Sequence, residues 1–301
     1  MSRTVPVAVP RKGRPLEAVL ERLASVADCE ALADTVSSTL RYEKAITKGT
    51  TEPEHGPYER LADYSNPDDP AAPEYTLLRD SREGFPRRVV FDSASVDVGG
   101  TTIQLIGREE PFRALRTHEF ALGFDSADLV LEEVVELHAE GLGSLAEINQ
   151  RINPKDTDVR VVTGLGDTVY HTLMARPELL DGKDLDRSFV DGHEGVLCIS
   201  PRYERLVEAV LGTEVIECVE FVYPGEEREE EAAIADSGLG VYLTMTGSTA
   251  RDHGLVLGEH LFPSETVLME NESEGDAAVD RLKALLSEAV EETELSVASG
   301  D

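Results

Sequence analysis

Residues 5–9 form a short apolar run, broken by Pro10-Arg11-Lys12-Gly13-Arg14, after which Leu16, Val19, Leu20 and Leu23 fall on one face of a helical period. The pattern predicts strand, basic loop and helix. From residue 42 to residue 88 periodicity dissolves into Pro, Gly, Asp and Glu, which reads as a long irregular insertion with no domain of its own. Residues 89–91 and 101–107 then predict an antiparallel pair, 111–116 a short helix, 120–124 a strand and 127–137 an amphipathic helix.

Through the middle third, strands at 159–163, 195–200 and 214–222 alternate with helices at 167–175 and 203–211. Such alternation argues for α/β layers with largely parallel strands. A strand at 239–245 runs into Thr246-Gly247-Ser248-Thr249 and a short helix, and residues 264–269 give the last strand. Val279, Leu282, Leu285, Leu286 and Val290 mark a final helix before an acidic tail. No repeat with a period of roughly 20 to 50 residues is present, which removes solenoids and propellers.

At 301 residues, with 41% hydrophobic and 29% charged residues, the chain can bury two ordinary cores and is not disordered throughout. Charge changes the picture more. Against 60 Asp+Glu stand 28 Lys+Arg, of which only six are Lys, for a net charge of −32. The excess is spread over both halves and reads as a solvated surface suited to concentrated salt, since at about 1 M the Debye length falls to about 3 Å. No basic stripe is present, so binding to nucleic acid or to an anionic membrane is not expected. No apolar run reaches the roughly 18 residues of a span, and residues 1–10 lack the pattern of a signal peptide, so a cytoplasmic protein is expected. Cys29, Cys198 and Cys218 are widely separated and form no CxxC, and Cys198 and Cys218 read as buried core thiols. The seven His include no zinc-type pair.

Three segments could carry chemistry. In the strand, Thr-Gly-Ser-Thr turn and helix, unpaired amides at a helix start, the helix dipole and several hydroxyls suit a phosphate. The same Ser and Thr suit plain helix capping, and both readings stand. No P-loop Lys follows Gly247, which excludes a Walker site. The second segment, Arg11, Lys12 and Arg14 after the first strand, suits a polyphosphate, or else is an exposed positive turn. The third is Gly123 to Asp128 with Glu132, where Asp125 or Asp128 caps a helix or holds a sugar hydroxyl or Mg²⁺.

Taken in order, these segments resemble the catalytic subunit family of the ATP phosphoribosyltransferases of histidine biosynthesis, in a divergent, haloarchaeal-type form. Val7-Ala8-Val9-Pro10-Arg11-Lys12-Gly13-Arg14 is similar to that family's first strand and basic loop, and Leu122-Gly123 with Asp128 and Glu132 to its glycine-rich segment. Thr246 to Thr249 with Gly254-Leu255, and then Ser264 to Asn271, resemble its phosphoribosyl-diphosphate loop and following strand. Gly195 to Leu211, with Ser200 and Tyr203, resembles a second-lobe strand and helix.

The resemblance implies an α/β, two-lobed, type II periplasmic-binding-protein-like fold with a cleft between lobes. Lobe I would be 1–114 plus 240–292, with the insertion 42–88, lobe II would be 115–239, and 293–301 an acidic tail. It implies transfer of phosphoribosyl from phosphoribosyl diphosphate to ATP with Mg²⁺. Thr246, Gly247, Ser248 and Thr249 would grip the 5-phosphate, and Arg11, Lys12 and Arg14 would face polyphosphate. Asp125, Asp128, Tyr203, Tyr242 and Arg251 would be cleft residues.

Tyr242 stands where the family has an acid suited to ribose hydroxyls, His253 stands for an Asn and Ser126 for a Gly, and the insertion has no counterpart. These departures open a second hypothesis, an impaired paralogue that binds a nucleotide or metabolite without turnover. With no regulatory domain after the last helix, the resemblance further implies a short form working as a homo-oligomer or with a regulatory subunit.

Overall fold

The computed structural model describes residues 4–66, 68–69, 71–79, 87–137, 144–212, 218–225 and 229–288. In chain order the elements are β1 (Thr4–Pro10), α1 (Gly13–Val26), α2 (Glu30–Thr47), α3 (Pro57–Tyr64), β2 (Glu74–Arg79), β3 (Arg87–Val98), β4 (Thr101–Arg108), α4 (Pro111–Arg116), β5 (Leu122–Ser126), α5 (Ala127–Glu133), α6 (Leu145–Gln150) and β6 (Val159–Gly164). They continue with β7 (Val169–Ala175), α7 (Pro177–Leu180), α8 (Arg187–Asp191), β8 (Gly195–Ile199), α9 (Glu204–Leu211), β9 (Val219–Val222), α10 (Glu230–Ser237), β10 (Leu239–Thr244), α11 (Ser248–Asp252), β11 (Val256–Ser264), β12 (Thr266–Asn271) and α12 (Ala277–Ser287).

The chain divides into two compact units. The first takes the described residues up to Asp125, then Thr157–Asp167, then those from Thr266 onward; the second takes Ser126–Asp156 and Thr168–Glu265. The division therefore falls at 125/126, 156/157, 167/168 and 265/266, where the sequence had suggested 114/115 and 239/240. Strand pairing is the reason: β10 and β11 both lie antiparallel to β7, so residues 240–265 belong with the second unit. β6 is antiparallel to β12, which draws 157–167 into the first. The acidic tail lies outside the described residues.

In the first unit a seven-stranded sheet runs β2-β3-β4-β1-β5-β12-β6. β1 is parallel to β4 and β5, while β2, β3 and β4 pair antiparallel, so the sheet is mixed and not largely parallel. Val5, Val7 and Val9 of β1 share a core with Leu16, Val19, Leu20 and Leu23 of α1 and with Leu282 and Leu286 of α12. Each such Val or Leu contributes about 1.5–3 kcal/mol when fully buried, which fixes these helices on the sheet.

The stretch 42–88 is not the irregular insertion its Pro content suggested. It holds the end of α2, all of α3, and β2, which extends the sheet on β3. Polar residues supply the fastening that a periodic count misses. Glu43, on the buried face of α2 beside Ala33, Val36 and Ile46, takes a bidentate bond from Arg60 at 2.7 and 2.8 Å and another from the Tyr64 hydroxyl at 2.9 Å. Burial and the adjacent Glu43 push that hydroxyl above the ordinary tyrosine range.

In the second unit five strands run β11-β7-β10-β8-β9. The helix expected at 167–175 is the strand β7. Val169, Tyr170, His171 and Thr172 are β-branched or aromatic, and a strand covered on both faces gives a near-continuous apolar run that periodicity cannot tell from a buried helix. The amphipathic helix expected at 127–137 is shorter, ending at Glu133. Cys198 is buried as expected, whereas Cys218 is exposed at the start of β9. Among the described residues no helix is long and apolar enough to cross a membrane.

Candidate functional site

The second unit carries the hydroxyl-rich turn. β10 ends at Thr244, and α11 begins at Ser248 with Gly247 as its cap in the left-handed region, φ +67°. Glycine is required there twice over. A side chain at that φ is strained, and a Cβ would lie 2.2 Å from Leu257 Cδ1. The Gly247 amide donates to Thr244 Oγ1 at 2.8 Å, and the Ser248 amide makes a long bond of 3.4 Å to Thr246 Oγ1. Thr246 and Ser248 hydroxyls lie 3.1 Å apart. Thr249 and Ala250 follow in the first turn, where amides have no intrahelical acceptor. Arg251 is exposed in the last turn. Hydroxyls and backbone thus converge, without any cation in the turn itself.

Tyr242, on β10, packs with Ile234, Ala250 and Leu257 around the root of this turn. Burial first, then the carboxylates of Glu230 and Glu231 at the start of α10, raises its hydroxyl well above the ordinary range. Glu231 is itself raised, by burial and by its acidic neighbours. Glu229 of the same run reaches His253 of the turn's helix at 3.3 Å. Sequence spacing could not reveal this acidic edge, because Glu230 and Glu231 reach Tyr242 only when α10 turns at Gly238 and packs back along β10.

Deeper in the second unit, Asp128 is 1% exposed and its Oδ2 lies 2.8 Å from His171 Nε2. The hydroxyls of Tyr203 and Ser264 also bond to it, and its Oδ1 accepts from the Leu129 amide at 3.1 Å. Burial alone would raise this carboxyl, but the bonds from His171, Tyr203 and Ser264 outweigh it and hold the group below its ordinary value. His171 stacks on Phe262 at 4.2 Å and meets Tyr203 edge-on at 4.6 Å. Asp128 and Tyr203 are thus brought together as a closed buried network. His171 was missed because its partner is 43 residues away. Glu132 takes the amides of Arg205 and Leu206, capping α9.

The first unit holds the basic loop. Arg11 Nε donates to the Gly107 carbonyl at 3.1 Å, and its guanidinium lies 3.6 Å from Asp92. Arg14 donates to the Asp167 carbonyl at 2.7 Å and to the Asp167 carboxylate, which also takes the Thr266 amide and hydroxyl, each at 2.7 Å. Asp125 accepts from the Phe112 amide at 3.0 Å, so it caps α4 rather than the helix that follows it in sequence. Glu265, fully buried, accepts from the Thr168 hydroxyl at 3.1 Å and the Ala127 amide bonds its carbonyl at 2.8 Å. Asp125, Asp167, Thr168, Glu265 and Thr266, which flank crossing points, each make bonds within their own unit. Arg14 is part of that fastening.

Among the described residues no group of three or more His, Cys, Asp or Glu side chains is gathered to hold a metal ion. Mg²⁺ needs no such cage, since it keeps waters and binds through one or two carboxylates and substrate phosphates.

Two mixed α/β units, one with a glycine-pinned hydroxyl turn and the other with a basic loop after its first strand, define a two-unit α/β protein. The sequence matches the family model for halobacterial ATP phosphoribosyltransferase over residues 1–297, and the chain belongs to that family. No curated protein sequence matches it. Among solved structures it is similar to the ATP phosphoribosyl transferase (HisG:HisZ) complex from Thermotoga maritima, at 12% identity over 94% of each chain, with a TM-score of 0.43. It is also similar to the ancestral amino acid-binding protein AncCDT-1, at 9% identity over 62% of this chain and 71% of that one, TM-score 0.38. The regulatory domain of MetR, a LysR family regulator from N. meningitidis, matches at 12% identity over 64% of this chain and 86% of that one, TM-score 0.35. All three are low-identity likenesses, and the family assignment rests on the sequence match.

Proposed function

We propose that this chain transfers phosphoribosyl from phosphoribosyl diphosphate to ATP, the first step of histidine biosynthesis, as a cytoplasmic enzyme. The observation that carries the reading is the family match over residues 1–297, supported by the Thr246–Thr249 turn with its glycine at φ +67°. In this reading the turn grips the 5-phosphate through hydroxyls and amides, and the basic loop of the first unit, Lys12 above all, meets polyphosphate. Arg11 and Arg14 act mainly by holding the loop, since both are engaged by Gly107, Asp92 and Asp167. Tyr242 and Arg251 flank the turn, whereas Asp125, Asp128 and Tyr203 support the scaffold.

The step needs little from the protein beyond position. An adenine ring nitrogen presents a lone pair that forms a bond to the anomeric carbon while the carbon–oxygen bond to diphosphate breaks, its electron pair leaving with diphosphate. No proton has to be removed first. Orientation and neutralisation of the leaving group supply the catalysis. Mg²⁺ in this reading arrives as the counterion of the diphosphate, and a second copy or a regulatory subunit completes the working assembly.

The test is release of diphosphate in molar KCl with both substrates present. Turnover supports the reading, and its absence with both substrates and Mg²⁺ bound, from the chain alone and from the chain with its native partner, removes it. That second outcome would favour a binding module without turnover, a reading drawn from Tyr242, whose buried hydroxyl faces Glu230 and Glu231 where the family resemblance leads one to expect an acid.

A further inference from the structure

Three of the six lysines in the chain, Lys12, Lys44 and Lys48, line one cavity of about 300 Å³ in the first unit, together with Arg41 and Arg88. Such a gathering of cations runs against the balance of a chain of net charge −32. Among the described residues the carboxylates in the wall are Glu17 and Glu43. Each is already bonded to an arginine, Glu17 to Arg41 at 2.8 Å and Glu43 to Arg60 at 2.7 Å. The described wall is therefore positive, and Leu40 adds apolar surface beside the buried Val89 and Val90.

Its place in the sheet is equally specific. β3 is antiparallel to β4, and β4 is parallel to β1, so Val89 and Val90 stand beside the carboxyl ends of β1 and β4. The Phe91 amide bonds to the Arg11 carbonyl at 3.0 Å, joining this wall to the basic loop. Ligands of open α/β sheets gather at that end of the strands. A volume at the lower bound of the roughly 300–1,000 Å³ usual for small-molecule sites suits a polyphosphate with part of a nucleoside.

We propose that this cavity is a nucleoside polyphosphate site. Lys12, Lys44, Lys48 and Arg88 take the phosphates, and Leu40 takes the apolar face of the nucleoside. The ligand's identity as the acceptor ATP rests on the reading in the preceding subsection. The cations of α2 are thereby a binding surface created by the stretch after α1.

Isothermal titration of the full chain at one fixed KCl concentration tests this with ATP, tripolyphosphate and phosphoribosyl diphosphate in separate arms. The double variant Lys44→Glu/Lys48→Glu sits on the exposed side of α2 and leaves its buried face intact. It should weaken ATP and tripolyphosphate at least tenfold and leave phosphoribosyl diphosphate within twofold, while Lys44→Arg/Lys48→Arg restores ATP binding to within threefold. Unchanged ATP affinity in the double variant, or no ATP binding by the unmodified chain, overturns the proposal. Tripolyphosphate bound as tightly as ATP overturns the nucleoside part. Weakened ATP binding without diphosphate release from the unmodified chain keeps the site and removes the transfer reading. Diphosphate release by the double variant with unchanged KM for ATP does the reverse.

Discussion

The two loops proposed to meet phosphate handle charge in opposite ways. In the first unit, Arg11 and Arg14 sit beside Asp92 and Asp167, so much of their charge is spent inside the protein. In the second unit, the turn from Thr244 to Thr249 has hydroxyls, amides and a left-handed glycine. Where carboxylates outnumber cations two to one, an arginine is readily captured by a neighbour, whereas a neutral donor keeps its geometry. Such donors also work at contact distance, where salt screens least.

The sharpest break in this comparison comes from Asp128, a deeply buried carboxylate of the second unit. Asp128→Ala should cost about 3–5 kcal/mol, because His171, Tyr203 and Ser264 lose their shared acceptor. Its pH signature follows from the lowered carboxyl. The stabilisation is fully present above the unfolded value of about 3.9 and is lost as pH falls through the lower folded value, so it belongs to the acid limb below about pH 4. Denaturant melts from pH 7 down to that limb, compared with the variant, measure it; identical acid limbs would contradict the network.

Next in size, Gly247→Val should weaken phosphoribosyl diphosphate binding at least a hundredfold, since φ +67° is strained for a β-branched residue and Leu257 must move. Circular dichroism should show the fold retained, with a lower Tm. Native affinity in this variant would remove the turn from the site.

Arg14→Ala should destabilise by about 1.5–3 kcal/mol through loss of charge-assisted bonds to Asp167. Lysine should restore less than half of this, because its flexible stem does not hold an ammonium where the rigid guanidinium places Nη1, the atom that makes both bonds. Full rescue by Arg14→Lys would show that only its charge matters. Smallest is Thr244→Ala, which removes the acceptor of the Gly247 amide and should cost about 1 kcal/mol by chemical denaturation.

How much of this was legible depended on sequence distance. The strand, loop and helix at residues 4–26 are local, and so is the run from β10 into α11; both could be read directly. β7 could not, because an apolar run flanked by strands on both sides has no polar face to betray its period. The fold of 42–88 was hidden for the opposite reason: its organising contacts, Glu43 with Arg60 and Tyr64, are polar and mimic a solvated stretch. The cationic cavity draws on three segments, at Lys12, at Lys44 and Lys48, and at Arg88, which no local window joins. The unit boundaries were misplaced because they are set by pairing across the chain, as in β10 with β7.

The position of β12 has a consequence for biosynthesis. It is the last strand among the described residues, yet in its sheet it stands between β5 and β6. A nascent polypeptide emerging from the ribosome therefore carries β5 and β6 with a vacant slot between them until residue 271 is free, exposing strand edges that invite aggregation. Ribosome-bound chains halted just before and just after β12 should differ sharply in protease resistance.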